Sequence, residues 1–170
     1  MKQAQLAAAG EQENPMRRLY ASPGHLIRRC HQIAVGIFLD EFGDTSITPM
    51  QCSALIAISE YPGIDQKTLV KLIAADRTTV GSVLRGLEKK QFIVRVTPAE
   101  DQRVRRLFIL KDGAAFLEKA GERLVKTRAR LMAPLNPAEQ ETFLALLSKI
   151  AESNNTYSRA PFDPAAPAEG

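Results

Sequence analysis

The hydrophobic pattern of this 170-residue sequence changes its period at Gln91. Before that point, Val80, Val83, Leu84 and Leu87 recur at the i, i+3, i+4, i+7 spacing of an amphipathic helix. After it, the segments FIVRVT and RLFIL favour two strands, because both are rich in β-branched and apolar residues. A polar loop, PAEDQRVR, joins them. This order predicts a helix that continues directly into a β-hairpin.

A shorter helix is expected just before this one. The segment DQKTLVKLIAA predicts a helix with Asp65 as its N-cap, and Asp76 is the predicted N-cap of the helix that follows. Only a tight turn at Ala74 and Ala75 separates the two. Residues 66–89 therefore have the length and pattern of a helix-turn-helix, and the hairpin makes it a winged one.

Long apolar helices are expected on both sides of this module. Ser22 as N-cap and Pro23 at the first helical position predict a helix that reaches about Phe42, and Thr48 starts another. Residues 113–132 and the segment AEQETFLALLSKIAE predict two more. The first helix has an apolar face broader than one neighbour would cover, which favours burial against a second copy of the chain.

The basic residues are concentrated in the winged module. The net charge is only +4, but residues 77–111 hold nine lysines and arginines against three acids, and each flank carries −1. A concentrated positive patch is the electrostatic footprint of a polyanion partner.

Other classes of protein find no support in the sequence. The chain has no apolar run of the roughly 18 to 20 residues that a membrane span needs, and its first segment lacks a signal-peptide core. We therefore expect a cytoplasmic protein with no membrane partner. No nucleophile elbow, phosphate-binding glycine loop or catalytic triad pattern occurs, so we expect no catalytic residues, no cofactor and no enzyme activity. His25, Cys30 and His31 diverge around their helix, which argues against a metal site.

The two cysteines, Cys30 and Cys52, lie in apolar helical patterns without C-x-x-C spacing. Reduced thiols packed in a core are the favoured interpretation. A thiol-based redox sensor that uses either cysteine is the alternative. Such a sensor needs an exposed thiol with a lowered pKa, and neither property is visible in the sequence.

The segments around the hairpin resemble the MarR (multiple antibiotic resistance regulator) family of winged-helix repressors over residues 22–153. DRTTVGSVLRGLEKKQFIVR is similar to the family's recognition helix and the exit from it, matched by Lys90, Phe92, Ile93 and Arg95. EDQRVRRLFILKDG is similar to its wing signature, matched by Asp101, Arg103 and Gly113. Lys111 stands where the family usually has Thr.

The resemblance implies a mainly α fold: a winged helix-turn-helix with long N- and C-terminal dimerisation helices and a two- to three-stranded β-wing. It implies a homodimer whose two wings and recognition helices face successive major grooves of double-stranded DNA at a pseudopalindromic operator, usually as a repressor. The expected domains are a flexible N-terminal tail (1–20), a helical dimerisation region (21–46 and 112–154), a winged helix-turn-helix DNA-binding domain (47–111) and a flexible C-terminal tail (155–170).

The DNA-binding residues are expected on the outer face of the recognition helix and on the wing. Short hydroxyl side chains reach base edges, arginines pair with guanine or phosphate, and Asp101 orients Arg103 for entry into a minor groove. The predicted residues are Lys67, Arg77, Thr78, Thr79, Ser82, Arg85, Asp101, Gln102, Arg103 and Arg105. Strand alternation points only one of Arg105 and Arg106 outward. A solvated face is the alternative.

An effector site is expected on the first long helix. One stripe of that helix carries an imidazole, two guanidiniums and an amide beside its apolar face, from His25, Arg28, Arg29 and Gln32. Such a stripe suits a small aromatic or pyridine carboxylate, which an arginine clamps in bidentate fashion. The alternatives are a salt-bridge network between subunits and solvated polar residues in the N-terminal turns of the helix. The segment SPGHLIRRCHQ resembles the first helix of MarR members that control the degradation of aromatic or nicotinic-type acids.

Overall fold

The computed structural model describes residues 14–99 and 104–169 of the chain. The helices in these residues are α1 (Pro15–Ala21), α2 (Pro23–Phe42), α3 (Pro49–Glu60), α4 (Gln66–Leu72), α5 (Arg77–Lys89), α6 (Lys111–Met132) and α7 (Pro137–Ser153). Strands β1 (Ile93–Val96) and β2 (Arg106–Ile109) form one antiparallel sheet. The predicted class, mainly helical with a small β-wing, is confirmed. None of the described helices is long and apolar enough to cross a membrane.

The core of the winged module lies between α3, α5 and the hairpin. Val80, Leu84 and Leu87 of α5 are fully buried, and Val83 is buried as well, so the predicted core stripe is confirmed. They pack in one cluster with the fully buried Leu55 of α3, and with Leu69 of α4 and Leu107 of β2. This buried face anchors α5 to the core, and the opposite face of the helix is exposed to solvent.

Side-chain caps start the helices of this module at the predicted residues. Thr48 and Gln51 form a reciprocal capping box at α3. The Asp65 carboxylate accepts the backbone N–H of Thr68, 2.7 Å away, at the start of α4. Asp76 does the same for α5.

Ser22 was predicted to cap the start of α2 with its side chain, and this prediction is wrong. The Ser22 hydroxyl donates to the carbonyl of Leu19, 2.7 Å away, and so closes α1 instead of opening α2. The helix α1 itself lies in the stretch predicted as an N-terminal tail, and Asn14 caps it.

The hairpin is tied to the rest of the module by a short third segment. β1 and β2 pair in the register Ile93 with Ile109 and Val96 with Arg106. Beyond β2, the Gly63 N–H donates to the Leu107 carbonyl (2.8 Å), and the Leu107 N–H donates to the Ile64 carbonyl (2.9 Å). The sheet is therefore two-stranded, with the loop before α4 pairing along its free edge.

Ion pairs join the end of α2 to α6. Arg123 of α6 binds the carboxylate of Asp44, and its guanidinium lies 5.7 Å from the centre of the Phe42 ring. Arg130 bridges Asp40 and Glu41, each at 2.6 Å. The carboxylates near the C-terminus of α2, which its dipole disfavours, are thus matched by cations from α6.

The segment 155–169, predicted as a mobile tail, is held to α4 through Asp163. The Lys71 ammonium binds the Asp163 carboxylate at 3.0 Å, and the Asp163 N–H donates to the Lys71 carbonyl at 3.2 Å. Asn155 closes this segment with two hydrogen bonds of 2.7 Å to the backbone of Phe162. Ala160 and Ala166 are buried.

Large apolar side chains stay exposed on two helices. The chain divides after Gly36 into two compact units, and the first carries half-exposed apolar residues of α2 at Leu26, Ile27 and Ile33. In the second unit, every residue of α7 between Glu141 and Ser153 is exposed. Its apolar members are Phe143, Leu144, Leu146, Leu147 and Ile150.

Candidate nucleic-acid interface

The outer face of α5 presents short polar side chains and one arginine. Thr78, Ser82 and Arg85 are exposed, on the side opposite the buried valines and leucines. Gly81 lies among them, and a side chain at that position would approach the Arg85 guanidinium at 3.6 Å. The face is narrow, uncharged at its start and cationic toward its end.

Thr79, unlike the exposed Thr78, Ser82 and Arg85, uses its side chain in the N-terminal cap of the helix. Its hydroxyl donates to Asp76 at 2.6 Å, and its backbone N–H donates to the same carboxylate at 2.9 Å. These bonds, the Thr79 hydroxyl first, lower the pKa of Asp76 below its usual value. The Thr79 hydroxyl proton is therefore used to start α5, and its oxygen alone is left to accept a further hydrogen bond.

Lys67 and Arg77 border one shallow depression at the edge of the module, together with Gln66 and Val70. The Gln66 amide donates to the Arg77 carbonyl at 3.3 Å, which links the two helices of the helix-turn-helix. Both cations are exposed. Their position beside two helix starts suits contacts to a phosphate backbone.

A second groove runs along the start of α5. Thr78, Thr79 and Ser82 share it with Thr48, the N-cap of α3, and with Gln51 of α3. The sequence predicted Thr48 only as a helix start and gave no role to Gln51, and the two side chains form the capping box. The groove places the start of α3 next to the predicted base-reading residues.

A polar cleft of about 520 Å³ separates the other end of α5 from the wing. Its lining consists of Arg85, Glu88, Arg95, Thr97 and Arg105. The Arg95 guanidinium binds the Glu88 carboxylate at 2.8 Å. Sequence reasoning took Arg95 only as a family match, and no helical or strand periodicity pairs it with Glu88.

Arg105, which precedes β2, and Arg106, its first residue, point in opposite directions as strand alternation predicts. Arg105 is exposed beside the cleft. Arg106 turns back and donates to the Gly63 carbonyl at 3.2 Å. Only Arg105 is thus available to a partner, whereas Arg106 holds the wing to the loop before α4.

The remaining wing residues predicted to bind DNA, Asp101, Gln102 and Arg103, lie outside the described residues. The structure therefore leaves their orientation and the predicted hydrogen bond between Asp101 and Arg103 as predictions.

The predicted effector residues share one stretch of α2. Arg28, Arg29 and Gln32 are exposed, and His25 is half-buried. The His25 ring lies 5.5 Å from the ring of Tyr20 in α1, with the planes tilted by 49°. Sequence reasoning missed Tyr20, because it placed residue 20 in a tail.

The two cysteines differ from each other. Cys52 is buried, as predicted, and burial raises the pKa of its thiol, which disfavours the reactive thiolate. Cys30 is exposed, so its prediction as a packed core thiol is wrong for this chain. The broad face of α2 that was expected to bury it lies largely open. Among the described residues, no group of three His, Cys, Asp or Glu side chains could hold a metal ion.

Residues 47–104 match the MarR family. The chain is 26% identical over 131 residues to the HTH-type transcriptional repressor NicR of Pseudomonas putida, a match that covers 77% of this chain and 83% of NicR. The structure of Bordetella bronchiseptica BpsR, whose DNA binding is regulated by 6-hydroxynicotinic acid, superposes with a TM-score of 0.73 at 27% identity, covering 78% of this chain and 94% of BpsR. The transcriptional repressor CouR, bound to a 23-mer DNA duplex, gives a TM-score of 0.73 at 25% identity over 80% and 96% of the two chains. These relatives are transcriptional regulators rather than enzymes, as the sequence predicted for this chain.

Proposed function

Because the chain belongs to the MarR family of DNA-binding transcriptional regulators, we propose that it is a homodimeric repressor released from its operator by a small aromatic or pyridine carboxylate. One observation carries the proposal. The face of α5 opposite its buried stripe is exposed, short and polar, in the only strongly basic part of the sequence. We place the activity in the cytoplasm, because that is where such a regulator meets DNA.

Thr78 and Ser82 read the major groove in this proposal, because a short hydroxyl side chain lets the helix backbone approach the base edges. Arg85 lies beside them and contacts the duplex through its guanidinium. Thr79 contributes an acceptor oxygen. Lys67 and Arg77 hold phosphates on either side and set the register of the helix. On the wing, Arg105 faces the duplex, and Asp101 orients Arg103 for entry into the adjacent minor groove, with Gln102 as a further contact.

The dimer rests on the exposed apolar faces of α2 and α7. Leu146 and Ile150 are 57% and 51% exposed, which is unusual for large apolar side chains grouped on one helix. Pairing with a second copy removes them from water. A two-fold dimer then sets the two copies of α5 about 10 base pairs apart, in successive turns of the major groove.

Leu146→Glu should therefore convert the dimer to a monomer in sedimentation velocity. Val94→Glu is the matched control, since Val94 is an exposed apolar residue of the wing. A Leu146→Glu protein that stays dimeric at low concentration would remove α7 from the interface.

The effector site of the proposal is the stripe of His25, Arg28, Arg29 and Gln32. Its cations suit a carboxylate, and its His25–Tyr20 ring pair suits a flat ring. The likeness to BpsR makes 6-hydroxynicotinic acid the first probe. Arg28→Ala should reduce ligand-induced release from DNA and leave the affinity for DNA unchanged. Arg128→Ala, the same charge change at an exposed position of α6, should leave both unchanged.

The test of the whole proposal is a fluorescence-anisotropy titration of the DNA upstream of the chain's own gene. Binding should weaken steeply with salt, prefer this duplex over a scrambled one, and reverse on addition of an aromatic or pyridine carboxylate. Equal affinity for both duplexes would refute a specific regulator. Specific binding that no such acid reverses would refute the effector class alone.

A further inference from the structure

We propose that Glu88 and Arg95 form a strut between the recognition helix and the wing, and that this strut sets Arg85 and Arg105 around a single phosphate of the DNA backbone. The ligand is thus one phosphodiester group, and its site is the polar cleft that these four side chains line with Thr97. The inference rests on the proposed function, because the cleft belongs to the same DNA-facing surface.

The strut joins two elements of different kinds. Glu88 lies in the last turn of α5, and Arg95 lies in β1, opposite Leu107 of β2. Their ion pair measures 2.8 Å, and the Arg95 side chain is only 18% exposed. A half-buried guanidinium whose charge is matched by a carboxylate is poorly placed to bind a phosphate itself. Arg95 is therefore a positioning residue.

The other two arginines of the cleft have a different environment. Arg85 and Arg105 are exposed, and neither forms an ion pair with any residue in the ranges 14–99 and 104–169. Two guanidiniums that border one cleft, neither paired with a described acid, suit an anion placed between them. A phosphate satisfies both, since each of its oxygens accepts charge-assisted hydrogen bonds.

Removing the charge of Glu88 should change the affinity for DNA in the direction opposite to the one that simple electrostatics predicts. Glu88→Gln removes a negative charge beside DNA, so charge alone predicts tighter binding. A lost strut predicts weaker binding, by about tenfold, the equivalent of one charge-assisted hydrogen bond. Glu122→Gln is the matched control: the same charge change in α6, where Glu122 pairs with Lys126 at 3.6 Å.

The experiment is an anisotropy titration of the upstream duplex with the full-length protein, across salt concentrations, after thermal melts show that each variant is folded. Glu88→Gln should weaken binding, and Glu122→Gln should not. Exchanging the pair, with Glu88→Arg and Arg95→Glu together, should restore most of the affinity at unchanged net charge. Tighter binding by Glu88→Gln, or no restoration by the exchange, would overturn the strut.

Salt dependence tests the shared phosphate. If Arg85 and Arg105 hold one phosphate, the Arg85→Gln, Arg105→Gln double variant should lower the slope of log K against log salt by about 0.9, since one phosphate is released. A loss of about 1.8 would mean two separate phosphates, and an unchanged slope would mean none. Either result overturns the shared phosphate site, provided that the wild type binds the upstream duplex specifically. If the wild type shows no preference for the upstream duplex, the proposed function fails, and the shared phosphate site fails with it.

Discussion

Replacing Gly113 by alanine should destabilise the fold, although alanine is the better helix former. Gly113 is buried in the first turn of α6, where the chain leaves the wing. A methyl group there would overlap the carbonyl oxygen of Phe92 and lie 3.1 Å from its carbonyl carbon and 3.0 Å from Cγ1 of Ile109. Two of these three atoms belong to the backbone, so no side-chain rotation relieves the overlap. The same carbonyl accepts the Leu110 N–H at 2.8 Å, which fixes its position.

The expected cost is about 1 to 3 kcal/mol, the range for overpacking a well-packed site. Gly121→Ala is the control in the same helix, because nothing lies within 4 Å of a methyl group there. That change should stabilise by about 0.5 to 1 kcal/mol, the intrinsic preference for alanine in a helix. Urea unfolding of both variants at one protein concentration measures the difference. Equal or higher stability of Gly113→Ala would refute the close packing of α6 on Phe92.

Three further predictions concern the core, a cap and the C-terminal segment. Leu84→Ala should cost about 2 to 5 kcal/mol of unfolding free energy in urea, since Leu84 is fully buried; a cost no larger than that of the half-exposed Val96→Ala would contradict this. Thr48→Ala should cost about 0.5 to 2 kcal/mol in the same assay by removing the capping box of α3, and Thr48→Ser should recover most of it. The Lys71 ammonium lowers the pKa of Asp163 by its hydrogen bond, so this contact stabilises the folded chain above the ordinary carboxyl pKa and is lost as pH falls through the lowered one. Asp163→Asn should accordingly speed amide hydrogen exchange in residues 155–167 at pH 7, whereas the exposed Glu141→Gln should not.

Local signals predicted the winged module well. Val80, Val83, Leu84 and Leu87 are buried because their spacing puts them on one face, and a helix in a small domain must bury such a face. Asp65 and Asp76 cap their helices because a carboxylate before a helix start has free N–H groups within reach. These causes lie within a few residues of each other, so the sequence displays them.

The features that the sequence did not predict depend on residues far apart in the chain. Arg123 reaches Asp44 across 79 positions, and Lys71 reaches Asp163 across 92. The segment 155–169 was expected as a tail because residues 156–170 hold three of the ten prolines. Its hydrogen bonds and its ion pair with Lys71 leave no hydrophobic period in the sequence. Glu88 and Arg95 are closer in sequence but lie in a helix and a strand, so neither period relates them.

The central claim is that the two copies of α5 in one dimer each enter the major groove of DNA. Guanine N7 methylation protection on the upstream duplex tests it most directly, because N7 lies in the major groove. The account predicts two protected patches about 10 base pairs apart on one side of the duplex, both lost in a Ser82→Glu variant that keeps its fold and its dimer. A single patch, or protection that survives Ser82→Glu, would contradict it.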